Sequence, residues 1–149
     1  MIQVVKTDSS NKDFIALVTQ LDKDLAIRDG DEHSFYAQYN TIAMIKYAVV
    51  LYDDEVPVAC GAIKQFDNES VEVKRMFVPN DYRGKGYATL VLNALENWAL
   101  ELGYKNLVLE TGLKQPEAIA LYKKNGFSVI PNYGQYIGIE NSVCFNKKI

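Results

Sequence analysis

Cysteine and histidine are scarce in this chain, with 2 and 1 among 149 residues. Cys60 and Cys144 lie far apart, each inside a β-like run, with no CxxC or Cys/His spacing. That pattern argues against a disulfide scaffold and against a zinc site. His33 stands alone in the polar segment GDEHSF. Without a partner motif it cannot build a zinc site, and it reads as a surface residue. No metal is expected. No apolar stretch approaches the roughly 20 residues that a membrane span needs. The opening MIQVVKTDSSNKDF lacks an apolar h-region and a cleavage site, so no secretion signal is expected. A reduced, cytoplasmic setting fits these absences. There is no repeat, no low-complexity tract and no Gly/Ser/Pro-rich linker, and the expectation is one domain over residues 1–149.

What is present is ordinary for a globular chain: 48% apolar and 23% charged residues. The net charge of −3 is too small to imply nucleic acid, but its distribution is uneven. Residues 1–72 carry 6 basic and 13 acidic groups (net −7), and residues 73–149 carry 10 basic and 6 acidic groups (net +4). A basic second half suits a phosphate-bearing ligand and an acidic first half suits a cationic partner; the plainer reading is an uneven solvated surface.

Periodicity supplies the elements. Ile2–Val5 is β-branched and predicts a short strand. Ser9, Ser10 and Asn11 are capable N-caps for a helix whose apolar residues, Phe14, Leu17, Val18, Leu21 and Leu25, recur at spacings of 3 and 4. Residues 28–41 are polar with scattered aromatics and suit a second short helix. KYAVVLYDD, PVACGAIKQF and SVEVKRMFV are three strand-like runs joined by short turns, which implies an antiparallel meander. A long helix follows from about Gly86 to Leu102, then the strand NLVLET, a helix opened by Pro116, and the strands FSVIP and SVCFNK. The strand–helix–strand crossover after Val78 should bring two strands parallel.

The chemistry concentrates in MFVPNDYRGKGYATLVL, where a strand ends and the long helix begins. The first turn of a helix leaves N–H groups without intrahelical partners, and the helix dipole adds positive character there. Glycines let a ligand approach the backbone, and Arg83 and Lys85 add two charges, so the turn suits an anion such as a pyrophosphate. The dinucleotide fingerprint GxGxxG fails, because Thr89 stands at its third glycine and no acidic residue follows at the right distance. The P-loop pattern GxxxxGK[ST] is missing. Arg83-x-x-Gly86-x-Ala88 remains.

That turn, together with AIALYKKNGF at residues 118–127 in the downstream helix, resembles the GNAT N-acetyltransferase superfamily. The resemblance covers roughly residues 42–130. It implies a mixed α/β fold: a mostly antiparallel, twisted sheet of about six to seven strands, helices on both faces, and a central pair of splayed parallel strands. It also implies acetyl-CoA as cosubstrate, held between the Val71–Val78 and Asn106–Glu110 strands. The backbone of Met76, Phe77 and Val78 would pair with the pantetheine arm, and an N–H near Phe77 or Val78 would polarise the thioester carbonyl. The N–H groups of Arg83, Gly84, Lys85, Gly86, Tyr87 and Ala88 would hold the pyrophosphate. Tyr122 matches the tyrosine that protonates the departing thiolate. Gln115 stands where many relatives have an asparagine that contacts CoA and caps the helix; glutamine is the poorer N-cap.

Strand alternation places Glu72, Lys74, Met76 and Val78 on one face and Val71, Val73, Arg75 and Phe77 on the other. A central strand should be continuously apolar, so these charges mark either a polar cleft or a salt-bridge cluster. Glu72 matches the position of a general base in some relatives, and it equally suits a pair with Lys74; Glu110 is a second candidate base. Asp22, Asp24, Asp29, Asp31 and Glu32 read as a solvated helix face or, less simply, as a draw for a cationic amine; Tyr133 and Tyr136 as lining of an acceptor pocket or as ordinary surface and core aromatics; and Lys123 and Lys124 as near the 3′-phosphate of CoA or as helix C-terminal charges. The resemblance therefore implies acetyl transfer to a primary amine of a small molecule or peptide. The alternative is a catalytically silent acyl-CoA-binding or sensing module. No nucleic acid or membrane partner is expected, and an exposed last strand offers an edge for a homodimer.

Overall fold

The structure, a computed structural model, describes residues 1–29 and 45–149. The expected second short helix and His33 lie outside the described residues, apart from the residues that end the first helix. Seven strands form one sheet in the order β1-β2-β3-β4-β5-β7-β6. They are β1 (Ile2–Thr7), β2 (Tyr47–Asp53), β3 (Val56–Gln65), β4 (Ser70–Phe77), β5 (Asn106–Gly112), β6 (Ser128–Ile130) and β7 (Ser142–Lys148). Among the described residues three helices accompany them: α1 (Lys12–Asp29), α2 (Tyr87–Glu101) and α3 (Pro116–Lys124). Among these strands only β4 and β5 run parallel, and the other described pairings are antiparallel. The mixed α/β sheet expected from the sequence is therefore what forms.

Of the three candidate caps, Asn11 is the one used: its Oδ1 accepts from the Phe14 N–H at 2.9 Å. Such a cap contributes about 1 kcal/mol to the helix. The stripe Phe14, Leu17, Val18 and Leu21 then buries against Ala48, Val50, Ala62 and Phe77 on one face of the sheet. On the other face, α2 lays Val91, Leu95 and Ala99 against Val49, Ile63, Val71 and Val73, and Tyr122 of α3 joins the same core. Each fully buried Val, Leu or Phe contributes about 1.5–3 kcal/mol by leaving water. Helices thus cover both faces, and the sheet is held from each side.

Two features open a cleft at the centre. The parallel β4–β5 ladder lasts for three pairs, ending at Glu72 opposite Val108, and beyond it the strands part. In addition, β4 carries a bulge. Lys74 pairs with Ala62 and Phe77 with Cys60, so Arg75 and Met76 together oppose the single residue Gly61. Arg75 takes φ +58°, a left-handed conformation that costs a non-glycine residue roughly 1–2 kcal/mol. The bulge corrects the simple alternation expected for this strand. Met76 and Val78 pack with Val71 and Val73 into the core under α2, while Phe77 joins the α1 side. Glu72 and Lys74 do not share a face with Met76 and Val78. Gly61 is required opposite the bulge, because a Cβ there would lie 2.5 Å from Met76 Sδ and 2.8 Å from Val91 Cγ1.

Candidate active site

The parting of β4 and β5 forms a cleft with two lobes. The larger, about 380 Å³, runs from Met76, Phe77 and Val78 along the 82–89 turn to Ala118, Leu121 and Lys124 of α3. The smaller, about 120 Å³, is lined by Glu72, Lys74 and Arg75 of β4, Glu110 and Thr111 of β5, and Tyr136. Leu21, Leu25, Met76, Gln115, Ala118 and Tyr122 line both lobes, so they form the seam.

The turn in the larger lobe is shaped for close approach. Gly84 and Gly86 have φ +79° and +82°, conformations that only glycine adopts freely, and nothing lies within 4 Å of where their Cβ atoms would be. Gly86 is the N-cap of α2, and the first N–H to bond back to its carbonyl is that of Leu90. The N–H groups of the first helical turn are thus left facing the lobe. Arg83 is engaged elsewhere. Its N–H donates to Asn80 O, its Nε donates to Val78 O at 2.9 Å, and its Nη2 pairs with Asp24 at 3.3 Å. The phenol of Tyr87 donates to Asp53, which anchors the turn to β2. Gln115 caps α3 with its backbone carbonyl and makes no side-chain cap bond. An open glycine turn, a row of helix N-terminal N–H groups and an adjoining apolar slot fit a phosphate-bearing cosubstrate with a long arm.

Tyr122 stands at the seam, buried among Phe127 and Phe145. Burial, and then the charge of Glu110, raises its pKa above the ordinary phenol range, so it stays protonated at neutral pH. Glu72 is buried, accepts a 2.6 Å hydrogen bond from the Tyr133 phenol, and lies 3.5 Å from Lys74 Nζ. The two readings of Glu72 therefore describe one arrangement: it pairs with Lys74 and also lines the cleft. Tyr133 stacks edge-on against Phe66 and Tyr136, and burial followed by Glu72 raises its pKa. The Tyr133–Glu72 bond spans 61 residues of chain, and no local pattern announces it. Asp22 and Asp24 are more than a solvated face: they pair with Arg75 and Arg83, tying α1 to the strand and to the turn. Among the described residues no group of three or more His, Cys, Asp or Glu side chains is placed to hold a metal ion. No helix among them is long and apolar enough to cross a membrane.

A sheet split at one parallel pair, with a helix N-terminus and a buried tyrosine at the split, defines an α/β protein whose cleft fits an extended, phosphate-bearing ligand. Residues 12–127 match the acetyltransferase (GNAT) family. The chain is 36% identical over 126 residues to an IAA acetyltransferase of Azospirillum brasilense, covering 82% of this chain and 81% of that one. It spans only half the length of a probable N-acetyltransferase 14 of Xenopus tropicalis, to which it is 34% identical over 103 residues, 68% of this chain. A solved Klebsiella pneumoniae structure assigned to the acyl-CoA N-acyltransferases superposes with TM-score 0.81 at 28% identity, covering 99% of this chain and 97% of that one. A GNAT acetyltransferase from Elizabethkingia anophelis with acetyl-CoA bound shares the fold, with TM-score 0.72 at 17% identity over 99% of this chain and 98% of that one. The chain belongs to the GNAT family, the class of acyl-CoA-dependent acetyltransferases.

Proposed function

We propose that this protein transfers the acetyl group of acetyl-CoA to a primary amine of a small molecule or peptide by direct attack on the thioester. Residues 1–149 act as one catalytic domain in the cytoplasm. The observation that carries the reading is the position of Tyr122: it is buried and protonated where the glycine-turn lobe meets the charged lobe.

Acetyl-CoA occupies the larger lobe. The N–H groups from Gly84 to Ala88 meet its pyrophosphate, and the backbone of Met76, Phe77 and Val78 runs beside its pantetheine arm. Lys85, Gln115 and the charge of Arg83 support that end. The acceptor enters the smaller lobe as an ammonium and gives a proton to Glu72, directly or through water. The free amine then attacks the carbonyl carbon, the C–S bond breaks, and Tyr122 donates its proton to the leaving sulfur. A phenol whose neutral form is favoured by burial is a competent donor to a thiolate and is restored from solvent or from the proton released by the amine.

The test is free-thiol release from acetyl-CoA across polyamines, amino acids, aminoglycosides and peptides, with Tyr122→Phe run in parallel. The chain's own thiols stay silent in such an assay, because burial pushes Cys60 up to about 12 and Cys144 up to about 11. Release that depends on one acceptor class and collapses in the variant supports the proposal. Measurable CoA binding with no release for any class favours a silent acyl-CoA-binding module.

A further inference from the structure

Arg75 is the least explained residue in the cleft. It lines the smaller lobe, its side chain is only 2% exposed, and it holds a left-handed backbone at the point where β4 and β5 part. Its Nη2 pairs at 2.8 Å with Asp22 of α1, whose side chain is 49% exposed. Its Nε–H is buried with no hydrogen-bond acceptor among the described residues. A guanidinium presents neighbouring N–H groups as a fork that fits both oxygens of one carboxylate. Among the described residues Asp22 fills one prong and nothing fills the other.

We infer that Arg75 is the anion-binding half of the acceptor subsite, and that the acceptor is an amine that also carries a carboxylate, of the α-amino-acid class. The inference rests on the acetyl-transfer reading above and narrows it. An acceptor carboxylate seated on Nε and Nη2 would satisfy the Nε–H and keep the buried guanidinium paired while Asp22, already half in water, is rehydrated. The rest of the lobe has matching chemistry. Glu72 and Glu110 line it from neighbouring strands and suit an ammonium, while Lys74 adds a second cation beside Arg75. Two charges of each sign around a space of about 120 Å³ match a compact zwitterion. A polyamine would bring positive charge to both cations and offer them nothing.

The test compares standard amino acids with their decarboxylated amines, by calorimetric binding to the CoA-saturated protein and by thiol release from acetyl-CoA. Arg75→Asn and Arg75→Gly, both tolerant of the left-handed backbone, are measured alongside. The expected result is at least one amino acid that binds about 30-fold or more tightly than its decarboxylated amine, as a bidentate charge-assisted contact provides. In both variants that preference falls to within about threefold, while CoA affinity stays the same. Equal binding across every wild-type pair, or a preference that survives both substitutions, overturns the inference. Release that is as fast with carboxylate-free amines as with amino acids overturns it too, and leaves the acetyl-transfer reading standing. Selective amino-acid binding with no release from any amine supports the subsite and overturns acetyl transfer.

Discussion

The larger lobe of the cleft is built on a glycine turn and a helix end, with Asp24, Arg83, Glu117 and Lys124 among its lining, whereas the smaller lobe gathers Glu72, Lys74, Arg75 and Glu110 from the two parting strands. In the first, geometry comes from two left-handed glycines and a helix end. In the second, it comes from long-range side-chain contacts: Tyr133 to Glu72, Lys74 to Glu72, and Asp22 to Arg75. A backbone site recognises what its ligands share, and a side-chain site recognises what distinguishes them. On the proposed function, the common cosubstrate would take the larger lobe and the particular acceptor the smaller one.

Substitutions separate the two halves. The largest effect should fall on the seam: Tyr122→Phe lowers turnover about 10²–10⁴-fold with little change in acetyl-CoA affinity. Unchanged turnover in steady-state kinetics would remove Tyr122 from the chemistry. In the larger lobe, Gly86→Val places a β-branched residue at φ +82°. CoA affinity measured by calorimetry should weaken about 10-fold or more through backbone strain, with turnover at saturation changing far less. An unaltered dissociation constant would show that the turn does not hold the ligand. In the smaller lobe, Tyr133→Phe deletes a hydrogen bond to a carboxylate, and kcat/KM for the amine should fall about 10-fold while CoA binding holds. An unchanged kcat/KM would mean that Tyr133 is packing alone. The smallest effect belongs to Asp24→Asn, which releases the partly exposed pair with Arg83. CoA affinity should rise by no more than about threefold, and the difference should vanish in high salt. A gain that persists in salt would point to a larger rearrangement of the turn.

The same contrast explains what could be read from the chain. The turn was legible because its signal is local: Arg83, Gly86 and Ala88 fall within six residues, and glycine at a strand–helix junction has few other reasons to be there. The meander and the helices were legible from periods of 2 and 3.6. The bulge was not. A period-2 pattern carries its phase along a strand, so one inserted residue inverts every later assignment, and Met76 and Val78 lie on the face opposite to the one that alternation predicts. The signal that existed was Arg75 itself, a charge where a doubly covered strand should be apolar. The clasp on Arg83, the pairing of Asp22 and Asp24, and the position of β7 between β5 and β6 depend on contacts between distant segments, which no local window contains.

The parting of β4 and β5 after three pairs leaves two runs of main chain bordering a gap in the middle of a covered sheet. A row of amides is the same whatever side chains hang from it. Mutations along such a border can accumulate without altering what it grips, provided the strand stays a strand. On the proposed function, the gap would serve as a fixed socket, leaving the choice of acceptor to the side chains across the seam.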